Sequence, residues 1–441
     1  MRAIYALGMV LSAVLAFADD AVRMEVVGDW QVNVTCGEKS QTFAIARPTP
    51  VVVENEVYAS LPVYRPDGPS WRKGITLRGV SAQECSVENA YVPGSIEIWQ
   101  YHTNAQQARE GIRAVEGKDF QIYVATGNVG RLEGGILAAD RPVEISYQYY
   151  TMRLDSIVRN ADGSWGLVPG VPHVANPELA KLEAGQTRLG TVWVVGNIDR
   201  LDDTLLFPIS EPTAYEPLFR AEEVLPRTWA KLQNGEEVRV LAWGDSVTAC
   251  GYIPDAFRWQ QQFVDRLQAQ FPKAHVVLIS EGWGGRNSDA YRAEPPGSPK
   301  NYREKVLAVK PDLIVSEFVN DAGMNEARVA LRYGEMLKDF EAAGMEWIIC
   351  TPHYVRPSWM GLTSLKGIDT DPRPYVKGLR AFAAANRVAL ADAAFLYGQQ
   401  YKLGIPYITL MKNNINHPNA YGMGLFADAL MAIFQPAVER K

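Results

Sequence analysis

The sequence predicts two domains of different fold class: an all-β, sandwich-like domain over residues 19–211 and an α/β domain with a parallel sheet over residues 236–441. At 441 residues, the chain exceeds what one hydrophobic core usually organises. Segments rich in β-branched and aromatic residues fill the first region, whereas strand-like and helix-like segments alternate along the second. The stretch 212–235 contains three prolines and predicts a linker between the domains.

In the first region, the strand predictions rest on short runs with alternating polarity. Turn-forming residues such as Asp162-Gly163 separate these runs, and few segments keep a helical period for more than two turns. An antiparallel, sandwich-like arrangement is the economical interpretation. The clearest predicted strands are 30–35, 51–54, 96–99, 120–124 and 192–195.

The second region alternates between buried strands and amphipathic helices, which predicts a parallel sheet covered on both faces. Its predicted strands are 238–243, 275–279, 312–316, 346–350 and 387–391, and its clearest helices are 326–343, 375–385 and 420–434. Ligands of such sheets bind beyond the carboxyl ends of the strands. Polar residues that follow each strand are therefore the candidates for a functional site.

Composition and charge exclude several classes of partner. The formal net charge is −6 and the sequence pI is near 5.6, so no basic excess is present to neutralise a nucleic-acid backbone. We therefore expect no nucleic-acid partner. The oligomeric state stays open.

The first residues predict export. Met1 and Arg2 precede an apolar run over residues 3–18 that ends in Ala16-Phe17-Ala18, the pattern of a secretory signal peptide over residues 1–18. A membrane anchor is the alternative, but the run is shorter than the ~20 residues that a span needs. We expect a secreted or periplasmic protein without a membrane span.

The four cysteines do not predict a metal site. None lies in a Cys-x-x-Cys pair or at zinc-ligand spacing with histidine, so we expect neither metal nor cofactor. In an exported chain Cys36 and Cys85 could form a disulfide. Cys250 and Cys350 could equally be buried free thiols. The sequence leaves the pairing open.

Four chemically useful residues follow the predicted strands or precede the last helix. Ser246 follows the first strand of the α/β region, Gly285 lies in a glycine-rich turn after the second, Asn320 follows the third, and His417 precedes the last helix. Each alone is typical of a turn, a cap or a structural histidine. Together they supply a nucleophile, oxyanion donors and a base, which is the inventory for acyl transfer.

This order of residues resembles the SGNH (GDSL-type) hydrolase family over roughly residues 236–436. The resemblance implies a flavodoxin-like, three-layer α/β/α fold that hydrolyses esters without a cofactor. It implies that Ser246 is the nucleophile and His417 the general base. The oxyanion hole would comprise the N–H groups of Ser246 and Gly285 and the side-chain amide of Asn320. The first region faintly resembles β-rich modules attached to such esterases in exported bacterial proteins.

Two positions depart from the family pattern. The family's third sequence block normally reads Gly-x-Asn-Asp, and Phe318 occupies its glycine position. The fourth, the histidine block, normally reads Asp-x-x-His, and Asn414 stands in place of its aspartate, three residues before His417. An aspartate would fix the imidazole tautomer and stabilise the imidazolium, whereas an asparagine carries no charge. We expect Asn414 to accept the imidazole N–H, or a backbone carbonyl to replace it in a Ser–His dyad.

Three further residues are candidates for substrate binding. Trp283 and Arg286 flank the oxyanion glycine, although tryptophan is also a common core residue. His353 follows the fourth strand, although a structural role is more typical of an isolated histidine. Export, the attached β-rich region and the histidine block without aspartate favour a serine esterase that removes short acyl groups, acetyl foremost, from carbohydrate. The alternatives are a lipase or arylesterase of the same fold, and a non-catalytic glycan-binding protein with a decayed site.

Overall fold

The computed structural model describes residues 21–70, 72–103, 109–361 and 371–436. The signal peptide that the sequence predicts at residues 1–18 lies outside the described residues. None of the described helices combines the length and the apolar character that a bilayer crossing requires.

The first region is built from antiparallel strands, as the sequence predicts. These strands are β1 (Arg23–Gly28), β2 (Gln31–Cys36), β3 (Lys39–Ala44), β4 (Val51–Tyr58), β5 (Ile75–Thr76), β6 (Ser81–Ala82), β7 (Cys85–Ser86), β8 (Glu97–Thr103), β9 (Arg109–Arg113), β10 (Phe120–Tyr123), β11 (Asn128–Arg131), β12 (Val143–Tyr149), β13 (Arg153–Arg159), β14 (Trp165–Val168), β15 (Thr187–Val194) and β16 (Leu206–Pro208).

Several small sheets share this region instead of one continuous sandwich. Strands β4, β12, β8 and β9 form one four-stranded sheet, and β14, β13, β15 and β16 form another. The second packs on the three-stranded sheet β1–β2–β3 through a core that includes Val32, Val34, Ile157 and Val192. A separate hairpin pairs β6 with β7 and has a two-residue turn, Gln83-Glu84.

The second region is the expected α/β domain. Its strands are β17 (Glu237–Gly244), β18 (His275–Gly282), β19 (Leu313–Glu317), β20 (Glu346–Cys350) and β21 (Ala389–Ala391). They pair in parallel in the order β18–β17–β19–β20–β21, which is the flavodoxin-like order 2-1-3-4-5. The order reverses around β17 and β19, so a crevice opens beyond the carboxyl ends of these two strands.

The helices surround this sheet. They are α1 (Ala221–Val224), α2 (Pro226–Asn234), α3 (Ser246–Ala249), α4 (Trp259–Gln270), α5 (Ser288–Ala293), α6 (Glu326–Ala342), α7 (Pro374–Asn386), α8 (Ala393–Lys402) and α9 (Ala420–Ile433). Buried apolar side chains on α4 and α9, among them Phe263 and Phe426, belong to one core, and most of those on α6 and α7, among them Phe340 and Phe382, belong to a second. The three-layer arrangement that the family resemblance implies is therefore present.

The stretch 212–235, expected to be a linker, packs on the α/β domain. It contains α1 and α2, and Leu225 and Leu232 are buried in the core. The Glu346 carboxylate accepts hydrogen bonds from the backbone N–H groups of Arg227 (2.9 Å) and Thr228 (2.7 Å). These bonds satisfy donors in the first turn of α2 that have no partner within the helix.

The two regions share a hydrophobic contact. Trp193 packs edge-on against Tyr407 with the ring centroids 5.8 Å apart, and Phe207 packs against Tyr401 at 5.5 Å. Both pairs join a strand of the β-region to a segment of the α/β domain. Such apolar burial favours a fixed arrangement of the two regions over independent movement.

The structure shows no disulfide between Cys36 and Cys85, the pair that the sequence leaves possible. Cys36 ends β2, whereas Cys85 begins β7 in a different sheet and directs its thiol at the side-chain oxygen of Asn414, 3.8 Å away. Cys250 and Cys350 are buried.

Phe318, at the family's glycine position, fills a gap beneath the carboxyl end of the sheet. It is 1% exposed and meets Trp243 edge-on with the ring centroids 4.8 Å apart. Its φ of −138° is extended backbone that any residue adopts. The side chain therefore anchors the loop after β19 by packing, and the backbone there does not need glycine.

Truncating Phe318 to alanine should lower the free energy of unfolding of the α/β domain by about 3–5 kcal/mol, because it leaves a cavity against Trp243. Urea denaturation followed by circular dichroism measures the change. Phe257→Ala is the matched control, since Phe257 is 47% exposed and its loss should cost below about 1 kcal/mol. Equal losses in the two variants would contradict this prediction.

Candidate active site

Ser246 lies at the carboxyl end of β17, where the strand turns sharply into α3. The turn needs glycine at position 244, because a Cβ there would come within 2.2 Å of the Glu317 carbonyl oxygen and of Thr248 Oγ1. Asp245 caps α3 by accepting from the backbone N–H of Val247 at 3.0 Å. Ser246 is the first residue of the helix, so its N–H has no acceptor within the helix, and the residue is partly exposed.

The structure brings His417 to Ser246. The distance between His417 Nε2 and Ser246 Oγ is 3.1 Å, within hydrogen-bond reach. The loop carrying the histidine is fixed by Asn413, whose side-chain oxygen accepts from the backbone N–H groups of three consecutive residues, Ile415, Asn416 and His417, at 2.9–3.0 Å. Backbone hydrogen bonds to one side chain thus set the position of the imidazole.

A second ring holds the imidazole from its face. Tyr252 stacks on His417 with parallel planes and a centroid separation of 4.4 Å. Burial lowers the pKa of His417 from its ordinary value, and the negative charge of Glu84 opposes this effect. The imidazole is therefore neutral at neutral pH, which is the form that can accept a proton.

The partner of the other ring nitrogen comes from the β-region. Gln83 Oε1 lies 2.7 Å from His417 Nδ1, and Glu84 Oε2 lies 3.7 Å from the same nitrogen. Both residues form the turn of the β6–β7 hairpin. They are functional candidates that the sequence interpretation missed, because no motif marks the hairpin.

Asn414 does not contact the imidazole, which corrects the expectation from the sequence. Its side-chain oxygen faces the Cys85 thiol at 3.8 Å, and a glutamine amide oxygen, not a backbone carbonyl, meets His417 Nδ1. Residue type and spacing place Asn414 on the correct loop. The direction in which the Asn414 side chain points depends on the docked β6–β7 hairpin, whose Cys85 thiol it faces.

Asn320 is tied to the residue that precedes the serine. Both its backbone N–H and its side-chain Nδ2 donate to Asp245 Oδ2, each at 2.8 Å. Asp245 therefore joins the loop after β17 to the loop after β19. The second hydrogen on Nδ2 remains available for an oxyanion.

The glycine-rich turn lies beside the serine. A Cβ on Gly284 would meet Ser246 Cβ at 3.8 Å, and Gly285 has a φ of +70°, a left-handed conformation that favours glycine. Among the described residues, no backbone carbonyl accepts from the Gly285 N–H.

Asp321 holds the segment that follows the glycine-rich turn, because its carboxylate accepts from Ser288 N at 3.0 Å and Ser288 Oγ at 2.7 Å.

Three buried carboxyl groups lie at this end of the sheet: Asp245, Glu317 and Asp321. Burial raises the pKa of all three, and hydrogen bonds oppose the rise at Asp245 and Asp321, whose pKa values reach about 6. Within the described ranges, no group of three or more His, Cys, Asp and Glu side chains is placed to hold a metal ion.

The predicted substrate-binding residues separate into two groups. Trp283 is half-buried and packs edge-on against Tyr291 at 5.4 Å, while the exposed Arg286 guanidinium lies 5.3 Å from the Trp283 ring centroid. His353 is fully buried and donates from Nε2 to the Asn416 carbonyl at 2.8 Å, and burial lowers its pKa to about 3. His353 therefore supports the histidine loop from behind and does not line a surface, contrary to the expectation.

Comparison with known proteins gives a family match for the α/β region. A model of the GDSL-like lipase/acylhydrolase family matches residues 242–425, whereas no curated protein matches the chain. Among solved structures, the chain is similar to a two-domain esterase active on acetylated mannans, with 15% identity over 47% of this chain and 51% of that chain and a TM-score of 0.39. The chain thus spans about half the length of that esterase.

Two further solved structures are similar to part of the chain. An acetyl-xylooligosaccharide esterase from Geobacillus stearothermophilus has 19% identity, covers 46% of this chain and 97% of its own, and gives a TM-score of 0.36. An α/β hydrolase from the metagenome of Lake Arreo has 17% identity, covers 44% and 94% respectively, and gives a TM-score of 0.35. Residues 242–425 are thus similar to the GDSL-like lipase/acylhydrolase family, and the sheet in this region has the flavodoxin-like strand order.

Proposed function

We propose that this protein is an exported serine esterase that removes short acyl groups, acetyl foremost, from carbohydrate. The observation that carries the proposal is the 3.1 Å contact between His417 Nε2 and Ser246 Oγ, at the crevice where the sheet order reverses. Export rests on the signal peptide pattern of residues 1–18.

The reaction proceeds by double displacement. His417 takes the proton of Ser246 as the oxygen attacks the ester carbonyl, and then gives it to the departing alcohol. Water attacks the acyl-enzyme with His417 again acting as base, which releases the acid and restores the serine. The N–H groups of Ser246 and Gly285 and the amide of Asn320 donate to the oxyanion in both halves.

The surroundings of the site favour a carbohydrate ester. Arg286 and Trp283, in the glycine-rich turn beside Ser246, place an exposed cation next to an aromatic ring. Aromatic faces pack on the C–H surface of a sugar, and the guanidinium can bind its hydroxyl groups. A lipase or arylesterase is the second candidate, since the same chemistry serves any carboxylic ester.

Replacing Ser246 with alanine should abolish ester hydrolysis and labelling by a fluorophosphonate, because both need the nucleophile. The thermal unfolding temperature should stay within about 2 °C, since a partly exposed hydroxyl contributes little to stability. Ser210→Ala, at an exposed serine, is the control and should keep full activity. Wild-type turnover in Ser246→Ala would show that another residue is the nucleophile, and a wild-type protein that resists labelling would favour a non-catalytic role.

The pH dependence of kcat/KM should report the lowered pKa of His417. Activity requires the neutral imidazole, so kcat/KM should rise with pH to a plateau, and the half-maximum should lie below the ordinary histidine value of about 6.5. A pH profile on p-nitrophenyl acetate measures it. His275→Gln, at an exposed histidine beginning β18, should leave the profile unchanged. A half-maximum above 6.5 would contradict the assignment of the buried imidazole as base.

Acyl chain length should separate the two candidate functions. We expect kcat/KM for p-nitrophenyl acetate to exceed that for the palmitate ester by at least about tenfold, because a site for short acyl groups gains nothing from extra methylenes. Acetate release from acetylated polysaccharides measures the carbohydrate preference directly. A preference for long chains would identify a lipase instead.

A further inference from the structure

The turn of the β6–β7 hairpin reaches across the domain boundary to the imidazole. Gln83 and His417 are separated by 334 residues in the sequence, yet Gln83 Oε1 and His417 Nδ1 lie 2.7 Å apart. The adjacent Glu84 places Oε2 3.7 Å from the same nitrogen. The β-region therefore provides both polar groups that face this side of the ring.

The hairpin is fastened to the segment that carries the histidine. The Cys85 thiol meets Asn414, and Glu88, just after the hairpin, forms an ion pair of 2.8 Å with Arg356. The backbone N–H of Arg356 in turn donates to the Ile415 carbonyl at 2.8 Å. These contacts fix the hairpin to the histidine loop from two sides.

The backbone of the turn is held in an unfavourable conformation. Glu84 has a φ of +58°, in the left-handed region that residues other than glycine rarely adopt. Backbone strain of this kind often marks a functional position. The sequence thus retains a carboxylate where the turn itself would favour glycine.

We propose that Gln83 and Glu84 are positioning residues for His417, and that together they replace the aspartate of the family's histidine block. Gln83 fixes the tautomer, and Glu84 supplies the negative charge. This inference rests on the proposed esterase function and adds that the active site is incomplete without the β-region.

The division of roles follows from the atoms. Gln83 Oε1 accepts the Nδ1–H, which leaves the Nε2 lone pair free to take the Ser246 Oγ proton. When that proton moves, Nδ1 keeps its hydrogen and the ring becomes an imidazolium. Glu84 takes no proton and stabilises the new positive charge through space. The proton leaves Nε2 with the departing alcohol.

The groups around the imidazole identify Glu84 as the source of this charge. Tyr252 stacks on the ring, and burial holds the pKa of its hydroxyl above the ordinary value, so it is uncharged. The buried His353 is also uncharged, because its pKa is lowered to about 3. Asp245 lies under the serine and is occupied by Asn320 and by the backbone of Val247.

Steady-state kinetics of full-length variants on p-nitrophenyl acetate test the proposal. Gln83→Leu should lower kcat about 10- to 100-fold with little change in KM, because the tautomer is no longer fixed. Glu84→Gln should lower kcat about 3- to 10-fold and move the acid limb of the kcat/KM profile down by about half a pH unit, since an exposed carboxylate is partly screened. Gln83→Glu should move the acid limb of the kcat/KM profile to higher pH and keep kcat near the wild-type value.

Glu133→Gln is the matched control, because it removes one negative charge from an exposed position in the β-region and should change neither turnover nor profile. Thermal unfolding checks that each variant folds. If the Gln83 and Glu84 variants behave like this control, the hairpin only covers the imidazole and the proposal is overturned. The proposal is also overturned if the acid limb of the kcat/KM profile of Glu84→Gln moves to higher pH, because that shift would report an imidazole that is loosened and hydrated. A wild-type enzyme no more active than Ser246→Ala would instead overturn the proposed function itself.

Discussion

The Asp245 carboxylate is the interaction on which the geometry of the site depends. One oxygen accepts from the N–H of Val247, which holds the first turn of α3 and so the direction of Ser246. The other accepts two hydrogen bonds from Asn320. A single buried carboxylate therefore sets the distance between Ser246 and Asn320, the proposed oxyanion donor. Its three donors compensate for its burial, because an unpaired carboxylate in this position would be very unfavourable.

His417, the proposed general base, is held by contacts from both regions of the chain. Asn413 shapes the loop from within the α/β domain, and the buried His353 supports it through the Asn416 carbonyl. Gln83 approaches from the β-region on the opposite side. The apolar contacts between the two regions therefore have a direct chemical consequence, because a shift of about 1 Å at this interface would break the hydrogen bond to Nδ1.

The sequence predicted the parts of the site that local patterns determine. Strand periodicity was sufficient to predict the parallel sheet. The order of the polar residues was sufficient to predict a site beyond the ends of β17, β18 and β19, because parallel strands end at one edge of the sheet. The hairpin could not be predicted, because its contact with His417 spans 334 residues and depends on how the domains dock. The errors at Asn414 and His353 have a related cause. Residue type does not determine where a side chain points. Asn414 faces Cys85, which is remote in the sequence, and His353 is buried in the core.

In the proposed mechanism, the position of the Glu84 carboxylate compensates for the missing aspartate of the histidine block. An aspartate at position 414 would be buried beside the Cys85 thiol, where burial disfavours ionisation. The Glu84 side chain is 69% exposed, so water hydrates the carboxylate that lies beside the imidazole. The drawback is a weaker field at the imidazole, because water screens an exposed charge. A neutral amide at hydrogen-bond distance and a solvated carboxylate just beyond it separate orientation from charge stabilisation, two roles that a buried aspartate combines.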